Sequence, residues 1–450
     1  MAVSAAPLGR ELGPWSATAL VVGHTIGVGI FLTPAGLIGA LPSPALTLAL
    51  WLICGAIVLA GALTFGELAS RYPQAGGPYV YLREGWGERV AFLYGWQALL
   101  IMDPGIVAAL AWGSSQYLVV LWPSATGAER VIAVAVIWVL AAVNMLGLRF
   151  SARVFDGMTI FKLLAFGATI VLAFTVGAGQ WSNFAASAAA RVNAPPPAEG
   201  LAIGLVSVFF SFGGFWEASR VAGEVRDARR TLPFAFGLGV ASITLLYVAT
   251  TCAFIYLVPG REATSASAFA RRAGEAMLGA AGPPLLAAVV LLSVVASAMA
   301  LLMMAPRLYL AMSVDGVFPA TLASVHPRTH APVRATTLLA VLATAFVIVG
   351  SFDQIVSLLI SAAMGFIALA AAAVFVVRRR VPDVDAFGVP AYPWTPAAFV
   401  LLIACVLVVL AITRPLQAFG SLAITALGWP AYDVFVSARR RHGVVGPVQR

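Results

Sequence analysis

Two pairs of closely spaced glycines interrupt long apolar segments of this sequence. Gly27 and Gly29 flank Val28 in the first such segment, and Gly213 and Gly214 are adjacent in the sixth. Glycine weakens a helix by about 1 kcal/mol relative to alanine, so each pair predicts a break in a helix. At a break, free N–H groups suit an anion such as a carboxylate, and free carbonyls suit an ammonium group. A ligand with both groups, such as an α-amino acid, fits this chemistry.

Close packing between helices is the alternative explanation for a single glycine pair, because small residues are common at helix interfaces in membranes. Two matched breaks argue against it. They lie about five helices apart, so the two segments run in opposite directions, which is the sequence pattern of an inverted-repeat transporter. Unwound backbone is tolerated at membrane depth only where it lines a cavity or is buried in protein. The glycines therefore predict a binding site between the first and sixth helices.

Lys162 is the only lysine of the chain and lies in the fifth apolar segment. Charges inside a bilayer are costly and are usually functional, and a buried lysine loses its proton readily. Lys162 is predicted to act as a fixed cation, as a proton carrier or in place of a bound sodium ion. Snorkelling of its side chain to the membrane surface is the alternative.

Four more titratable residues lie in apolar segments. Asp103 precedes Pro104, whose ring frees a backbone carbonyl, and this carboxylate could tune the charge of the substrate, take a proton or form a structural pair. Glu217 follows the second glycine pair and could line the pathway. For His24, packing is the favoured interpretation, and for Glu67 an interfacial cap or ion pair is favoured.

The elements that position these residues are membrane helices. Hydrophobic residues make up 61% of the 450 residues and charged residues only 10%, whereas soluble domains carry about 25% charged residues. A spanning helix needs roughly 20 apolar residues, and the first segment is too long for a signal peptide. The predicted spans are 15–38, 45–68, 91–121, 131–148, 155–177, 201–221, 234–258, 284–311, 334–350, 354–377, 396–412 and 416–436.

Positive charge supports this count of about twelve helices. With a cytoplasmic N-terminus, 20 of the 26 arginines fall in segments predicted to be cytoplasmic, as the positive-inside rule requires. Both termini are then cytoplasmic. Two longer segments on that side, 70–90 and 307–334, are expected to hold short surface helices. The scattered arginines do not form the basic face that binds nucleic acid. The three cysteines lie in apolar runs and the four histidines are dispersed, so neither a metal site nor any cofactor is expected.

Several motifs together resemble the amino acid–polyamine–organocation superfamily, in particular bacterial amino acid permeases related to L-type transporters. They extend over nearly the whole chain, in the order of the family. The motifs are Gly23 to Phe31 (GHTIGVGIF), Gly66-Glu67-Leu68, Tyr72 to Tyr79 (YPQAGGPY), Phe210 to Phe215 (FSFGGF), Gly223 to Asp227 (GEVRD) with Leu232-Pro233, Arg307 with Asp315 to Pro319 (DGVFP), Pro382-Asp383 and Tyr392-Pro393.

The resemblance implies an all-α integral membrane protein in the LeuT-like arrangement, a five-plus-five inverted repeat with two C-terminal helices. It implies one transporter domain over residues 1–450, with repeats at about 15–177 and 201–377 and extra helices at about 396–436. It also implies transport of amino acids by alternating access in a bacterial inner membrane, with sodium-independent exchange and proton-coupled uptake both left open.

The resemblance also assigns roles to residues of the site. The substrate carboxylate would meet N–H groups around Gly27, Val28 and Gly29, and the ammonium would meet carbonyls near the following positions: Thr25, Ile26, Phe210 and Ser211. Phe210 would close over the substrate, beside Phe212, Gly213 and Phe215, and Lys162 would occupy the place of a sodium ion. Asp103 and Glu217 are additional coupling candidates.

The sequence departs from the family pattern at three points. Val28 stands where a small polar residue is common, His24 is not the usual residue, and no proline follows Asp227. Animal relatives join a glycoprotein partner through an external cysteine, and no cysteine lies in a predicted external loop, so no disulfide-linked heavy chain is expected.

Three other functions stay open at this point. A sodium-coupled symporter of related fold for another solute, such as an amine, is the main one, and Lys162 argues against it. A membrane-embedded enzyme is another, although no zinc-protease motif, nucleophile elbow or catalytic carboxylate pair is present. A channel is the third.

Overall fold

The fold is a bundle of helices of very unequal length. The computed structural model describes residues 10–27, 29–176, 179–185, 195–260, 266–349, 352–380 and 385–441. Within these ranges the secondary structure is helical, with one isolated β-bridge between Leu12 and Val225. Val28 and the Pro382-Asp383 motif lie outside the described residues.

The first half of the chain contains eight α-helices. They are α1 (Pro14–Thr25), α2 (Gly29–Ala40), α3 (Pro44–Arg71), α4 (Pro78–Trp86), α5 (Glu88–Gln97), α6 (Asp103–Leu121), α7 (Glu129–Met145) and α8 (Leu148–Thr175). A π-helical turn at Ala98–Met102 joins α5 to α6 directly before Pro104. A proline removes a helical hydrogen bond, and π turns accommodate such breaks.

The second half contains eight more. They are α9 (Pro197–Ser211), α10 (Ala228–Leu257), α11 (Ala266–Leu278), α12 (Gly282–Val314), α13 (Val333–Val349), α14 (Phe352–Arg380), α15 (Trp394–Thr413) and α16 (Pro415–Arg441). A 3-10 helix at Phe215–Glu224 follows α9, and we call it the Phe215 turn. The short helices α4 and α11 lie between longer ones. The sequence predicted α4 but not α11. Helix α11 carries Arg271, Arg272 and Glu275, and these charged residues interrupt the apolar pattern from which helices were predicted.

Seven helical stretches of the described chain are long and apolar enough to cross a membrane. They are Pro44–Arg71, Glu88–Leu121, Leu148–Thr175, Pro197–Glu224, Ala228–Leu257, Ala270–Val314 and Trp394–Thr413. Large apolar side chains cover the outside of these helices, for example Leu245, which is 72% exposed. Such a surface is stable in lipid and not in water. The protein is thus an all-helical integral membrane protein, as the composition predicted.

Helix α12 lies at the centre of the bundle. It packs against α1, α6, α7, α8, α13 and the Phe215 turn, and its residues from Ala296 to Leu310 are buried without a gap. Helices α3 and α10 form another extensive pair, with α1 and α15 against them. The interrupted segment α1–α2 is thereby enclosed by α8, α10 and α12, which supply the side chains of the candidate site.

Two arginines that the charge count assigned to cytoplasmic segments lie elsewhere. Arg220 is fully buried in the Phe215 turn, and Arg307 is 2% exposed inside α12, where the sequence predicted the start of a loop. Both are ion-paired, Arg220 with Asp103 and Arg307 with Glu224. A hydropathy pattern cannot distinguish an arginine at a helix end from one that has a buried carboxylate partner.

Candidate functional site

Both interruptions that the glycines predicted are present. Helix α1 ends at Thr25 and α2 begins at Gly29, with Ile26 and Gly27 in non-helical conformation between them. Gly27 N–H donates to Thr25 O over 2.8 Å, which closes a tight local turn. The first N–H groups of a helix have no partner within that helix. The start of α2 therefore presents donors at the first interruption.

The second interruption begins where α9 ends at Ser211. The N–H groups of Phe212 and Gly213 turn back to the carbonyls of Phe209 and Phe210, at 3.1 and 2.9 Å. Gly214 has a φ of +105°, a conformation that residues with a side chain rarely adopt. A β-carbon at Gly214 would lie 2.8 Å from the His24 ring. Gly214 thus permits both the turn and the close approach of α1.

The two interruptions are in direct contact. The hydroxyl of Ser211 lies 2.8 Å from that of Thr33 on α2, and a β-carbon at Gly29 would be 3.0 Å from Ser211 Oγ. Tyr247 of α10 joins the ends of both half-helices: its hydroxyl donates to Ser211 O over 2.9 Å and lies 3.1 Å from Thr25 O. Tyr247 was not singled out in the sequence, because nothing local marks a tyrosine in α10 as a partner of two distant breaks.

Lys162 does not reach the membrane surface. It is fully buried, and its Nζ donates to Gly23 O at 2.7 Å, Ile26 O at 2.6 Å and Ser293 O at 3.3 Å. A ring of backbone carbonyls around one cation is the arrangement that a bound metal ion would also use. The snorkelling alternative is therefore wrong for this conformation.

Two serines of α12 complete the surroundings of the first interruption. Ser293 Oγ donates to Ile26 O over 2.8 Å, and Ser297 Oγ donates to His24 O over 3.0 Å. His24 Nδ1 in turn donates to Ser297 O over 3.1 Å. This contact agrees with the packing interpretation of His24. The free carbonyls of α1 are thus bound by α8, α10 and α12, and no isolated helix could satisfy them.

The carbonyls that were expected to meet an ammonium group already accept hydrogen bonds from the protein. Thr25 O and Ser211 O face the Tyr247 hydroxyl, Ile26 O binds Lys162, and Phe210 O accepts from Gly213. A carbonyl oxygen has two lone pairs, so Phe210 O and Ser211 O can each accept one more donor, whereas Ile26 O already accepts from both Lys162 and Ser293. The ammonium site stays a prediction.

The aromatic residues of the second interruption have different surroundings. Phe212 packs against Trp51 and Tyr247, with ring centroids 5.8 and 5.3 Å away, and Phe215 is fully buried. Phe210 is 44% exposed. The side chain that was expected to close over substrate is therefore the most exposed of the three.

Asp103 and Glu217 meet at a single arginine. Asp103 Oδ2 accepts from Arg220 over 2.9 Å and from the Tyr309 hydroxyl over 2.8 Å. Arg220 Nε lies 2.5 Å from Glu217 Oε2. The sequence identified both carboxylates, but it assigned Arg220 to a cytoplasmic segment and so missed the residue that joins them.

Other motif residues form ion pairs away from the interruptions. Glu67 accepts from Arg71 and Arg378, at 2.9 and 2.7 Å, as the ion-pair interpretation predicted. Arg307 donates to Glu224 over 2.7 Å. Tyr79 donates to Asp315 over 2.8 Å, so the two motifs that contain these residues meet in space. These motifs therefore hold helices together.

No group of three or more histidine, cysteine, aspartate or glutamate side chains that could hold a metal ion occurs among the described residues. Cys54, Cys252 and Cys405 are free thiols within α3, α10 and α15.

The chain is similar over nearly its whole length to known proteins. Residues 12–429 match the amino acid permease family, and this chain belongs to that family. The serine/threonine exchanger SteT of Bacillus subtilis (strain 168) is 27% identical over 429 residues, which cover 94% of this chain and 96% of SteT. The human cystine/glutamate transporter is 28% identical over 439 residues, covering 95% and 86%.

A third relative is the human large neutral amino acids transporter small subunit 2. It is 27% identical over 430 residues, covering 94% of this chain and 80% of the relative. Family and relatives are transporters of amino acids and not enzymes. The function of this protein is accordingly amino acid transport across a membrane.

Proposed function

We propose that this protein carries amino acids by alternating access, either as a sodium-independent exchanger or with proton-coupled uptake, and binds its substrate between the two interrupted helices. The observation that carries this proposal is the direct contact of the two interruptions at Gly29 and Ser211. The exchange activity in the name of one relative, the serine/threonine exchanger SteT, supports it.

Substrate recognition would use the backbone on both sides of this contact. The carboxylate would accept hydrogen bonds from N–H groups around Gly27, Val28 and Gly29, favoured by the dipole of α2. The ammonium would bind to carbonyls at the ends of α1 and α9, of which those of Phe210 and Ser211 keep a lone pair. Phe210 would move over the bound substrate, and the apolar surroundings of Phe212 and Phe215 favour a neutral side chain.

Lys162 supports the sodium-independent form of the proposal. Its ammonium group already donates hydrogen bonds to the carbonyls of Gly23, Ile26 and Ser293. A sodium ion would have to displace this group to bind there. Loss of a proton from Lys162 would release these carbonyls and link transport to pH. Asp103 and Glu217 are the further candidates for coupling.

The proposed architecture extends the seven spanning stretches to about twelve spans. Repeats at about 15–177 and 201–377 would each begin with an interrupted helix, followed by two extra helices at about 396–436. Both termini would face the cytoplasm of a bacterium, with the protein in the inner membrane and no disulfide-linked partner.

A thermal-stability screen of the purified protein in sodium-free buffer tests substrate recognition. A ligand that binds only the folded state raises the unfolding temperature. Neutral α-amino acids should do so, and their methyl esters and decarboxylated amines should not, because each lacks a carboxylate. Equal stabilisation by the amines, or stabilisation only with sodium, would favour the amine or sodium-coupled alternatives.

A further inference from the structure

Five polar side chains form a closed cluster beside the second interruption. They are Tyr94 of α5, Asp103 of α6, Glu217 and Arg220 of the Phe215 turn, and Tyr309 of α12, and we call them the Arg220 cluster. Four of them are fully buried and Glu217 is 3% exposed. The cluster connects the turn that follows the second interruption to three helices.

Arg220 is the centre of this cluster. It donates to Asp103 Oδ2 over 2.9 Å and to the Tyr94 hydroxyl over 2.8 Å. Its Nε contacts Glu217 Oε2 at 2.5 Å, close enough for an ion pair but without the angle of a hydrogen bond. Tyr309 adds a second donor to Asp103 Oδ2. The single guanidinium group of Arg220 is therefore in contact with two carboxyl groups.

The charges of the cluster do not balance if both carboxyl groups are ionised. Two negative charges and one positive charge would leave one buried negative charge without a partner, which costs several kcal/mol. One bound proton removes this excess. Among like carboxylates that share a site, one commonly keeps its proton for this reason.

The hydrogen bonds indicate which oxygen is available for that proton. Glu217 Oε1 accepts from Trp216 Nε1 over 2.8 Å, and its Oε2 contacts Arg220. Asp103 Oδ2 receives two donors, whereas Asp103 Oδ1 is buried and has no hydrogen-bond partner. A proton on Asp103 Oδ1 leaves every other contact of the cluster in place.

The neighbouring titratable groups do not supply the missing positive charge. On α8, Lys162 is bound by three carbonyls. On α1, His24 packs at Gly214 and donates to Ser297. On α12, the buried Arg307 already pairs with Glu224 of the Phe215 turn. Among the described residues, no ion pair joins Lys162 or His24 to Asp103 or Glu217.

We propose that the Arg220 cluster holds one proton on the Asp103–Glu217 pair and in this neutral state fixes the Phe215 turn against α6 and α12. Loss of the proton leaves an unbalanced buried charge and loosens the turn. If the proposed alternating-access function is correct, the second interrupted helix can move only after the cluster has lost this proton. Arg220 is a positioning residue in this scheme and does not touch substrate.

Infrared spectroscopy measures the proton directly and needs no transport. A protonated carboxyl gives a C=O stretching band that moves in D₂O and that ionised carboxylates lack. The wild-type protein at neutral pH should show a band that is lost in both Asp103→Asn and Glu217→Gln. In Glu217→Gln, Asp103 is the only carboxyl group left beside Arg220. Asp103 should therefore lose its proton, because its negative charge is then matched by the positive charge of Arg220. Asp433→Asn is the matched control, because that carboxylate is 58% exposed and pairs with Arg89, far from the cluster in sequence.

The results separate this inference from the transport proposal. A band that persists in Glu217→Gln, or a wild-type protein without such a band, would contradict the proposal of a shared proton. If Asp103→Asn does not fold, the result for Glu217→Gln is sufficient to test the proposal. In vesicles, the wild-type rate should rise as the pH rises through the loss of the proton, because the loosened turn can then move, and Glu217→Gln should flatten this profile. The infrared result stands even if none of the tested amino acids is carried.

Discussion

At the scale of single residues, Lys162 binds two backbone carbonyls beside the first interruption, those of Gly23 and Ile26. Removing its side chain in Lys162→Ala removes a hydrogen bond from a charged donor at each of the carbonyls of Gly23 and Ile26, at a cost of about 1.5–3 kcal/mol for each bond. We expect this variant to lose most transport or to lose the dependence of transport on pH. Uptake by reconstituted vesicles across a pH series measures this.

Lys162→Met is the companion variant, since it keeps the apolar stem and removes only the ammonium group. If transport requires the positive charge of Lys162, both variants should show the same change in transport. Wild-type transport by both at every pH would show that Lys162 has no role in the mechanism.

Gly29 is a residue at which the two interruptions are in direct contact. A β-carbon there would lie 3.0 Å from Ser211 Oγ and 3.2 Å from Ser211 Cα, so Gly29→Leu must push α2 away from α9. We expect at least a tenfold loss of substrate affinity, equivalent to about 1.4 kcal/mol, measured by calorimetric titration. Gly36→Leu, in the same helix with open space around its β-carbon, should bind normally. Unchanged affinity of Gly29→Leu would move the site elsewhere.

At the scale of helices, the pair α3–α10 shows how small residues allow close packing. A β-carbon at Gly55 would lie 2.4 Å from Thr244 Cγ2, which leaves no room for a side chain between these helices. We expect Gly55→Leu to lower stability by about 1–3 kcal/mol, as overpacking of a tight interface does. Thermal unfolding in detergent, monitored by tryptophan fluorescence, gives the change.

Gly157 of α8 provides the control for this substitution. It too is a helical glycine, but nothing lies within 4 Å of its β-carbon position. Gly157→Leu should leave the unfolding temperature unchanged or raise it, because glycine disfavours helix. Equal destabilisation by both substitutions would mean that helix propensity, and not packing, explains the effect.

Local sequence patterns predicted the helices and the breaks in them, but not the partners of the breaks. Glycine pairs and apolar runs are local signals, so the ends of α1 and α9 could be predicted from them, whereas for Lys162 they left snorkelling open as the alternative to burial. The contacts of Tyr247 with Thr25 and of Arg220 with Asp103 join residues more than 100 positions apart. Without the packing of the bundle, nothing in the sequence pairs them.

At the scale of the whole molecule, the arginine distribution still supports the proposed topology after two corrections. Arg220 and Arg307 are buried in ion pairs and no longer count as loop charges. The remaining asymmetry predicts that the loop between α6 and α7 lies outside and that the segment between α12 and α13 lies inside.

Single-cysteine labelling tests this topology. In a background without Cys54, Cys252 and Cys405, Ser124→Cys should react with an impermeant maleimide added to intact cells, and Thr321→Cys should react only after lysis. Both positions are exposed, so reactivity reports the side of the membrane. Labelling of both positions in intact cells, or of Thr321→Cys alone, would contradict the proposed orientation.

Counterflow in sodium-free proteoliposomes tests the central claim most directly. Vesicles that contain the purified protein and an unlabelled amino acid inside would receive traces of labelled amino acids outside, one at a time. We predict that one class of neutral amino acids accumulates transiently, that Gly29→Leu abolishes the accumulation and that Gly36→Leu preserves it. Accumulation that requires sodium, or none in vesicles shown to contain folded protein, would contradict sodium-independent carriage of amino acids at the paired interruptions.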